Sequence, residues 1–184
     1  MPVTPPPSIP FYPAFTTSVG TFIQAGCRIV SYVRSTGALS GDDITIGNNL
    51  DLTLAAGLAK CSRTGDTVLC LPGHAENVTT TPTFPAGCRV IGVPAGTATP
   101  TFTWSATTSQ WAISTANVFF GGLKLAVCGA VVVKGIVVTG SNVSFVGNEI
   151  VQATGASLKA TILMETDTGA DNFLFKDNYI YGTA

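Results

Sequence analysis

Asn142-Val-Ser-Phe145-Val-Gly-Asn148-Glu-Ile150 and Asn172-Phe-Leu-Phe175-Lys-Asp-Asn178-Tyr-Ile180 are two copies of one pattern, Asn-(Val/Phe)-x-Phe-x-x-Asn-x-Ile. A looser copy, Asn117-Val-Phe-Phe120-Gly-Gly-Leu-Lys-Leu125, carries Leu123 where the second asparagine stands. The copies begin 25 and 30 residues apart, and upstream Gly65-Asp-Thr-Val68 and Gly87-Cys-Arg-Val90 are offset by 22. Short strands recurring every 20 to 30 residues are the signature of a solenoid, because one copy cannot bury its apolar face alone and must stack on the next. Stacking predicts a buried stripe of Phe120, Phe145 and Phe175, with Val118, Val143 and Phe173 as a second stripe. It also sets Asn148 and Asn178 at equivalent bends, where stacked carboxamides can hydrogen-bond each other and satisfy turn backbone.

Outward from the repeats, Asp66–Leu71, Cys88–Val93 and Thr101–Trp104 read as strands, ended by Pro72-Gly73, Pro94 and a Ser/Thr-rich turn region. Before them Leu50, Leu54, Leu58 and Cys61 fall on one face of a 3.6-residue period, which predicts an amphipathic helix over 49–61 capped by Asn49 or Asp51. Gly57 weakens that helix without forbidding it. Residues 21–47 read as short strands, Thr21–Ile23, Arg28–Val33 and Ile44–Ile46. Residues 1–20 form a third segment, with six prolines by position 13 and the aromatics Phe11, Tyr12 and Phe15 among them. Proline fixes φ and removes a donor, so this arm is expected to be extended and to need another surface for its aromatic rings. The organisation expected is thus an arm 1–20, an adaptor 21–47 and a stacked body 48–184.

The helix followed by Gly65-Asp66-Thr67-Val68-Leu69-Cys70-Leu71-Pro72-Gly73 resembles the entry of the right-handed parallel β-helix, the pectate-lyase-like fold. There a helix caps the open end and a Gly-Asp-x-(Val/Ile) strand begins the first rung. The Asn-x-x-Phe-x-x-Asn-x-Ile copies resemble its later coils, so the similarity spans roughly 48–184. More narrowly, Leu54-Ala-Ala-Gly-Leu-Ala-Lys60, Leu71-Pro-Gly-His-Ala-Glu-Asn-Val78, Val90-Ile-Gly and Pro100-Thr-Phe-Thr-Trp104 look like short β-helix virion proteins of tailed bacteriophages. That resemblance implies an all-β fold and a structural or decoration role on the particle. The coils show no recognisable C-terminal cap, which leaves a partner or solvent at that end.

Composition narrows the classes further. Charged residues make up 10% of the chain, hydrophobic residues 46%, and mean hydropathy is +0.42. Disorder needs the opposite balance. Nine Lys+Arg against ten Asp+Glu leave no basic face for a nucleic acid. The most apolar stretch, Val118 to Val138, is broken by Lys124, Lys134 and glycines, so no membrane span is expected. Met1 to Pro13 has no positive side chain and does not read as a secretory signal. Cys27, Cys61, Cys70, Cys88 and Cys128 are odd in number without C-x-x-C spacing, which favours buried reduced thiols over a disulfide framework or a zinc site. Cys70 with Cys88 is the pair to check.

Catalysis on carbohydrate needs convergent carboxylates with a basic or protonated partner. Glu165 and Asp167 share a strand face, and Asp171 and Asp177 follow, but solvated turn acids are the better reading. His74, the sole histidine, reads as an exposed turn residue, a base only if Glu76 oriented it and a serine lay near. Trp104 and Trp111 read as packing beneath a long turn rather than as a sugar platform. No catalytic residue, metal or cofactor is therefore expected. The expectation is a non-enzymatic virion protein on the capsid surface, its partner the major capsid protein or another virion protein. Pro6, Pro7, Phe11, Tyr12 and Phe15 are its anchors, and it self-associates as a homotrimer. The alternative is a carbohydrate-binding or carbohydrate-cleaving β-helix of a tail spike or fibre.

Overall fold

Short runs of Val, Ile, Thr and aromatic residues, each closed within a few positions by glycine, proline or asparagine, cannot build long strands and must turn repeatedly. A computed structural model describes residues 28–35, 50–104, 106, 109–127, 134–152 and 162–182. The arm 1–20, the strands expected at 21–23 and 44–46, and Cys27 and Cys128 lie outside the described residues.

The first elements are strand β1 (Arg28–Val33), strand β2 (Leu50–Asp51) and helix α1 (Leu54–Leu58). Four successive turns of the chain then contribute strands at recurring positions. The first carries β3 (Asp66–Cys70) and β4 (Ala75–Val78). The second carries β5 (Arg89–Gly92), β6 (Thr101–Trp104) and β7 (Trp111–Ile113). The third carries β8 (Phe119–Gly121), β9 (Lys124–Val127) and β10 (Lys134–Val138). The fourth carries β11 (Ser144–Val146), β12 (Glu149–Gln152) and β13 (Ile162–Thr166). β14 (Leu174–Lys176) and β15 (Tyr179–Gly182) open a last coil.

Equivalent strands pair in parallel to give three sheets, in the orders β14-β11-β8-β5-β3-β1-β2, β15-β12-β9-β6-β4 and β13-β10-β7. This is a parallel β-solenoid, an all-β fold with one short helix among the described residues. In the first sheet Val68, Val90, Phe120, Phe145 and Phe175 are register partners, so the repeat found in the sequence is the repeat of the coils. Phe120 and Phe145 are fully buried and stack with centroids 4.6 Å apart, and Val118 and Val143 are buried beside them. Phe175 departs from the expectation. It holds the register but is 39% exposed, because no further coil lies over it among the described residues.

The bends are also repeated. Asn117, Asn142 and Asn172 sit at φ 61°, 55° and 55°, the left-handed region that asparagine tolerates better than most residues. The position before Leu123, Asn148 and Asn178 is left-handed too, filled by Gly122, Gly147 and Asp177. At Gly92 the coils nearly touch: a Cβ there would meet the Gly122 carbonyl oxygen at 2.1 Å.

The helix is shorter than the periodicity suggested. Leu50 and Asp51 belong to β2, and α1 runs only from Leu54 to Leu58, capped by Thr53, whose hydroxyl accepts from the Ala56 N–H at 3.3 Å. Leu54 and Leu58 are buried as expected, while Cys61 lies past the helix end and is half-buried. Gly57 proves to be a packing requirement. A Cβ there would stand 2.9 Å from Val33 Cγ2 and 3.0 Å from Val68 Cγ1. The first sheet extends two strands beyond β3, whereas the second begins at β4, and α1 packs into that step against β1, β2 and β3. One end of the core is closed in this way.

Candidate functional site

The polar side chains of the coils are spent largely on each other. Asn148 is 2% exposed. Its Oδ1 accepts from the Leu123 N–H at 3.1 Å, and its Nδ2 donates to the Phe120 carbonyl at 3.2 Å and to Asn178 Oδ1 at 3.0 Å. Asn178 repeats the motif one coil on, accepting from the Asn148 N–H at 2.9 Å and donating to the Phe145 carbonyl at 2.9 Å. This is the arrangement expected of the two asparagines. A second ladder runs through Asn172, Asn142 and Asn117, whose carboxamides are linked at 3.1 Å each.

Charges are shared across coils as well. Asp66, buried at the start of β3, accepts from Arg28 Nε at 2.8 Å and Nη2 at 2.7 Å, and from the Ser62 and Arg63 N–H groups at 2.7 and 2.9 Å. The Arg28 guanidinium, aided by those two amides, outweighs burial and holds the Asp66 carboxyl well below the usual carboxylate range. On the outward face of the second sheet Lys124 Nζ lies 2.9 Å from Glu149 Oε1, which also accepts from the Tyr181 hydroxyl. Burial tends to raise the Glu149 carboxyl, but Tyr181 and Lys124 together hold it below its ordinary value. Lys134 pairs with Glu165 at 2.6 Å on the third sheet, and Lys60 pairs with Asp51, which also accepts from the Ser31 hydroxyl.

His74 is not the exposed turn residue that the sequence suggested. It is 1% exposed, its ring edge meets Phe102 at 5.1 Å, and its Nε2 lies 3.1 Å from Glu76 Oε2. The same oxygen accepts from the Leu54 N–H at 2.7 Å, so Glu76 joins the histidine to the first residue of α1. His74 Nδ1 is buried without a hydrogen-bond partner, and the serine that a catalytic dyad would need is not in hydrogen-bond contact with it among the described residues. A shallow depression of about 40 Å³ beside the dyad is lined by Ala55, Glu76, Thr80 and Trp111, among others. That is room for about one water molecule rather than a sugar ring.

Trp104 and Trp111 are core residues, 0% and 1% exposed, with centroids 5.0 Å apart. Trp111 packs further against Phe84, Phe102 and Phe120. Cys61, Cys70 and Cys88 are free thiols, and Cys70 and Cys88, the pair to check, are not bridged. Burial pushes the Cys88 thiol up to about 12 and the Cys61 thiol up to about 11. Asp167 and Asp171 are exposed, Asp177 sits 3.8 Å from Lys176 and Glu165 pairs with Lys134, and among the described residues no three acidic side chains are grouped to hold a metal ion. The proposed anchors Pro6, Pro7, Phe11, Tyr12 and Phe15 lie outside the described residues.

The Lys124–Glu149–Tyr181 group was missed, although the repeat held its signal. Lys124, Glu149 and Tyr179 follow Leu123, Asn148 and Asn178 directly and are therefore register partners. No family model matches the chain, and no curated protein or solved structure matches it.

Proposed function

We propose that the chain is a structural protein of a bacteriophage particle, a decoration protein on the capsid surface that performs no catalysis. The phage assignment rests on the sequence resemblance described above. The structural observation in its favour is that many polar side chains of the body are hydrogen-bonded or ion-paired from one coil to the next. Asn117, Asn142, Asn148, Asn172, Asn178, Asp66 and Glu149 all act in this way. A body so committed is a stiff spacer, and stiffness suits a part that must hold its shape on a repetitive shell. In this reading the N-terminal arm docks on the major capsid protein or another virion protein through Phe11, Tyr12 and Phe15. The intervening prolines reduce the entropy lost on docking. The solenoids associate side by side as a homotrimer.

The test is addition of the purified chain to bare particles, with and without residues 1–15. The full chain is expected to co-sediment in a fixed ratio to the shell protein, and the truncated chain to stay folded and unbound. Equal decoration by both forms removes the arm from the mechanism. Release of reducing sugar by the isolated protein overturns the non-enzymatic reading.

A further inference from the structure

The first sheet has a second apolar face. Side chains alternate along a strand, so Val68 and Val90 point into the core while their neighbours Leu69 and Ile91, paired in register, point out of the solenoid. With Val93, and with Ile29, Tyr32 and Phe119 packed against them, Leu69 and Ile91 form an apolar cluster separate from the core. Their row across the sheet runs Tyr32, Leu69, Ile91, Gly121, Val146. Neighbours within a sheet cover the flanks of a side chain and leave its tip to solvent, and Tyr32 and Val146 are accordingly half-buried. Leu69 and Ile91 are 1% and 0% exposed. The Phe119 ring is not their roof: a Cβ at Gly121 would stand 2.8 Å from it, so it lies along its own strand. On the second sheet the outward row carries Lys124 and Glu149 instead, both half-buried.

We propose that residues 16–27 of the same chain lie across this face, with Val19, Phe22 and Ile23 seated over Leu69 and Ile91. The segment ends where β1 begins, and β1 supplies Ile29 and Tyr32 to the near rim of the cluster. From β1 to β8 is three strand spacings, about 14 Å, and the five residues from Ile23 to Arg28 reach about 17 Å. Gly26 stands where the chain must bend to come back over the sheet. Residues 1–27 contain no charged side chain, so laying them on an apolar floor buries no charge. Residues 36–49 are the other candidate by position, since they join β1 to β2. They carry Asp42 and Asp43, however, and must return to the strand on the far side of β1 from β3. Residues 128–133 and 153–161 join the second sheet to the third, away from this face. The cover gives residues 1–15 a fixed starting point on the flank of the first coils, whatever they bind.

Photo-cross-linking of the full chain tests this. With p-benzoylphenylalanine in place of Phe22, which keeps a large apolar ring there, the expected product is a cross-link within one chain to the peptide of β3 or β5. Cross-links confined to other peptides or to a second copy, or none at all, overturn the proposal. Carbene footprinting of the full chain gives the converse measurement. Leu69 and Ile91 are expected to be nearly unlabelled in the parent and labelled severalfold more in the double variant Phe22→Asp, Ile23→Asp. Val143 and Phe145 should stay unlabelled in both, which shows that the body is still folded. If the double variant does not fold, the cross-link decides alone. Unchanged labelling of Leu69 and Ile91 in a folded variant assigns the cover to another segment, such as 36–49, and overturns the proposal. Neither measurement uses a particle, so the decoration reading can fail while this one holds, and the reverse.

Discussion

Residues 142–150 and 172–180 share one pattern and pair in register, yet their surroundings differ almost completely. Phe145 is 0% exposed and Phe175 39%; Ile150 is 1% exposed and Ile180 60%. Asn148 is buried, whereas Asn178 is half-buried. Among the described residues the first copy has a coil on either side and the second a coil on one side only. Burial in a solenoid is thus set by the stack rather than by the repeat, as expected where each unit contacts only its neighbours. A motif that predicts a core phenylalanine in one place predicts a surface one in another.

The largest effect that can break this comparison comes from the phenylalanines. Phe145→Ala is expected to cost about 3–5 kcal/mol, the range for emptying a well-packed aromatic site. Phe175→Ala should cost roughly 1–2 kcal/mol, because the side chain is already partly in water and the site can relax. Urea unfolding of the two variants measures both. Equal losses would mean that Phe175 is covered in solution as fully as Phe145.

The asparagines sharpen the same contrast at lower energy. Asn148→Ala strands the Leu123 N–H and the Phe120 carbonyl away from water, which should cost about 2–3 kcal/mol. Asn178→Ala takes a partner from the Asn148 N–H and the Phe145 carbonyl, but the Asn178 side chain is itself only half-buried, so water can take its place and about 1 kcal/mol is expected. A larger loss at Asn178 than at Asn148, read from the same denaturant curves, would contradict the assignment of the last coil as the open one.

The solenoid was legible because its repeat fixes three things at once: apolar stripes, left-handed bends and asparagine ladders. Each is a local requirement repeated at one offset, so a single sequence displays it several times. What failed to show was whatever depends on neighbours the repeat does not encode. Leu50 fits the helical period of Leu54 and Leu58, yet its backbone pairs with Tyr32 on β1, and strand pairing overrode the local pattern. His74 follows Pro72-Gly73, a surface-turn signal, but its ring is drawn inward by Phe102 on the next coil and by Glu76. Gly57 looked like a weak point of a helix because Val33 and Val68 come from distant segments. The arm's anchors have no repeat to position them at all.

The smallest effect is electrostatic and concerns the link between the two copies. Glu149 belongs to the covered coil and Tyr181 to the open one, with Lys124 one coil below. A carboxyl held below its free value stabilises the fold while it is ionised. That contribution is fully present above the free value, about 4.3 for glutamate, and is lost as the pH falls through the lower folded value. The pair is partly solvated, so about 1 kcal/mol or less is at stake, a shift of roughly 2–4 °C in melting temperature for a chain of this size. Melting curves from roughly pH 6 to pH 3 should therefore fall more steeply for the parent than for Glu149→Gln, which has no charge to lose at this position. The comparison isolates Glu149, because Asp66 titrates in both proteins. Identical slopes would show that the Glu149 carboxylate does not hold the last coil to its neighbour, leaving the asparagine ladders and the backbone pairing of β11 with β14 and β12 with β15 as its attachment.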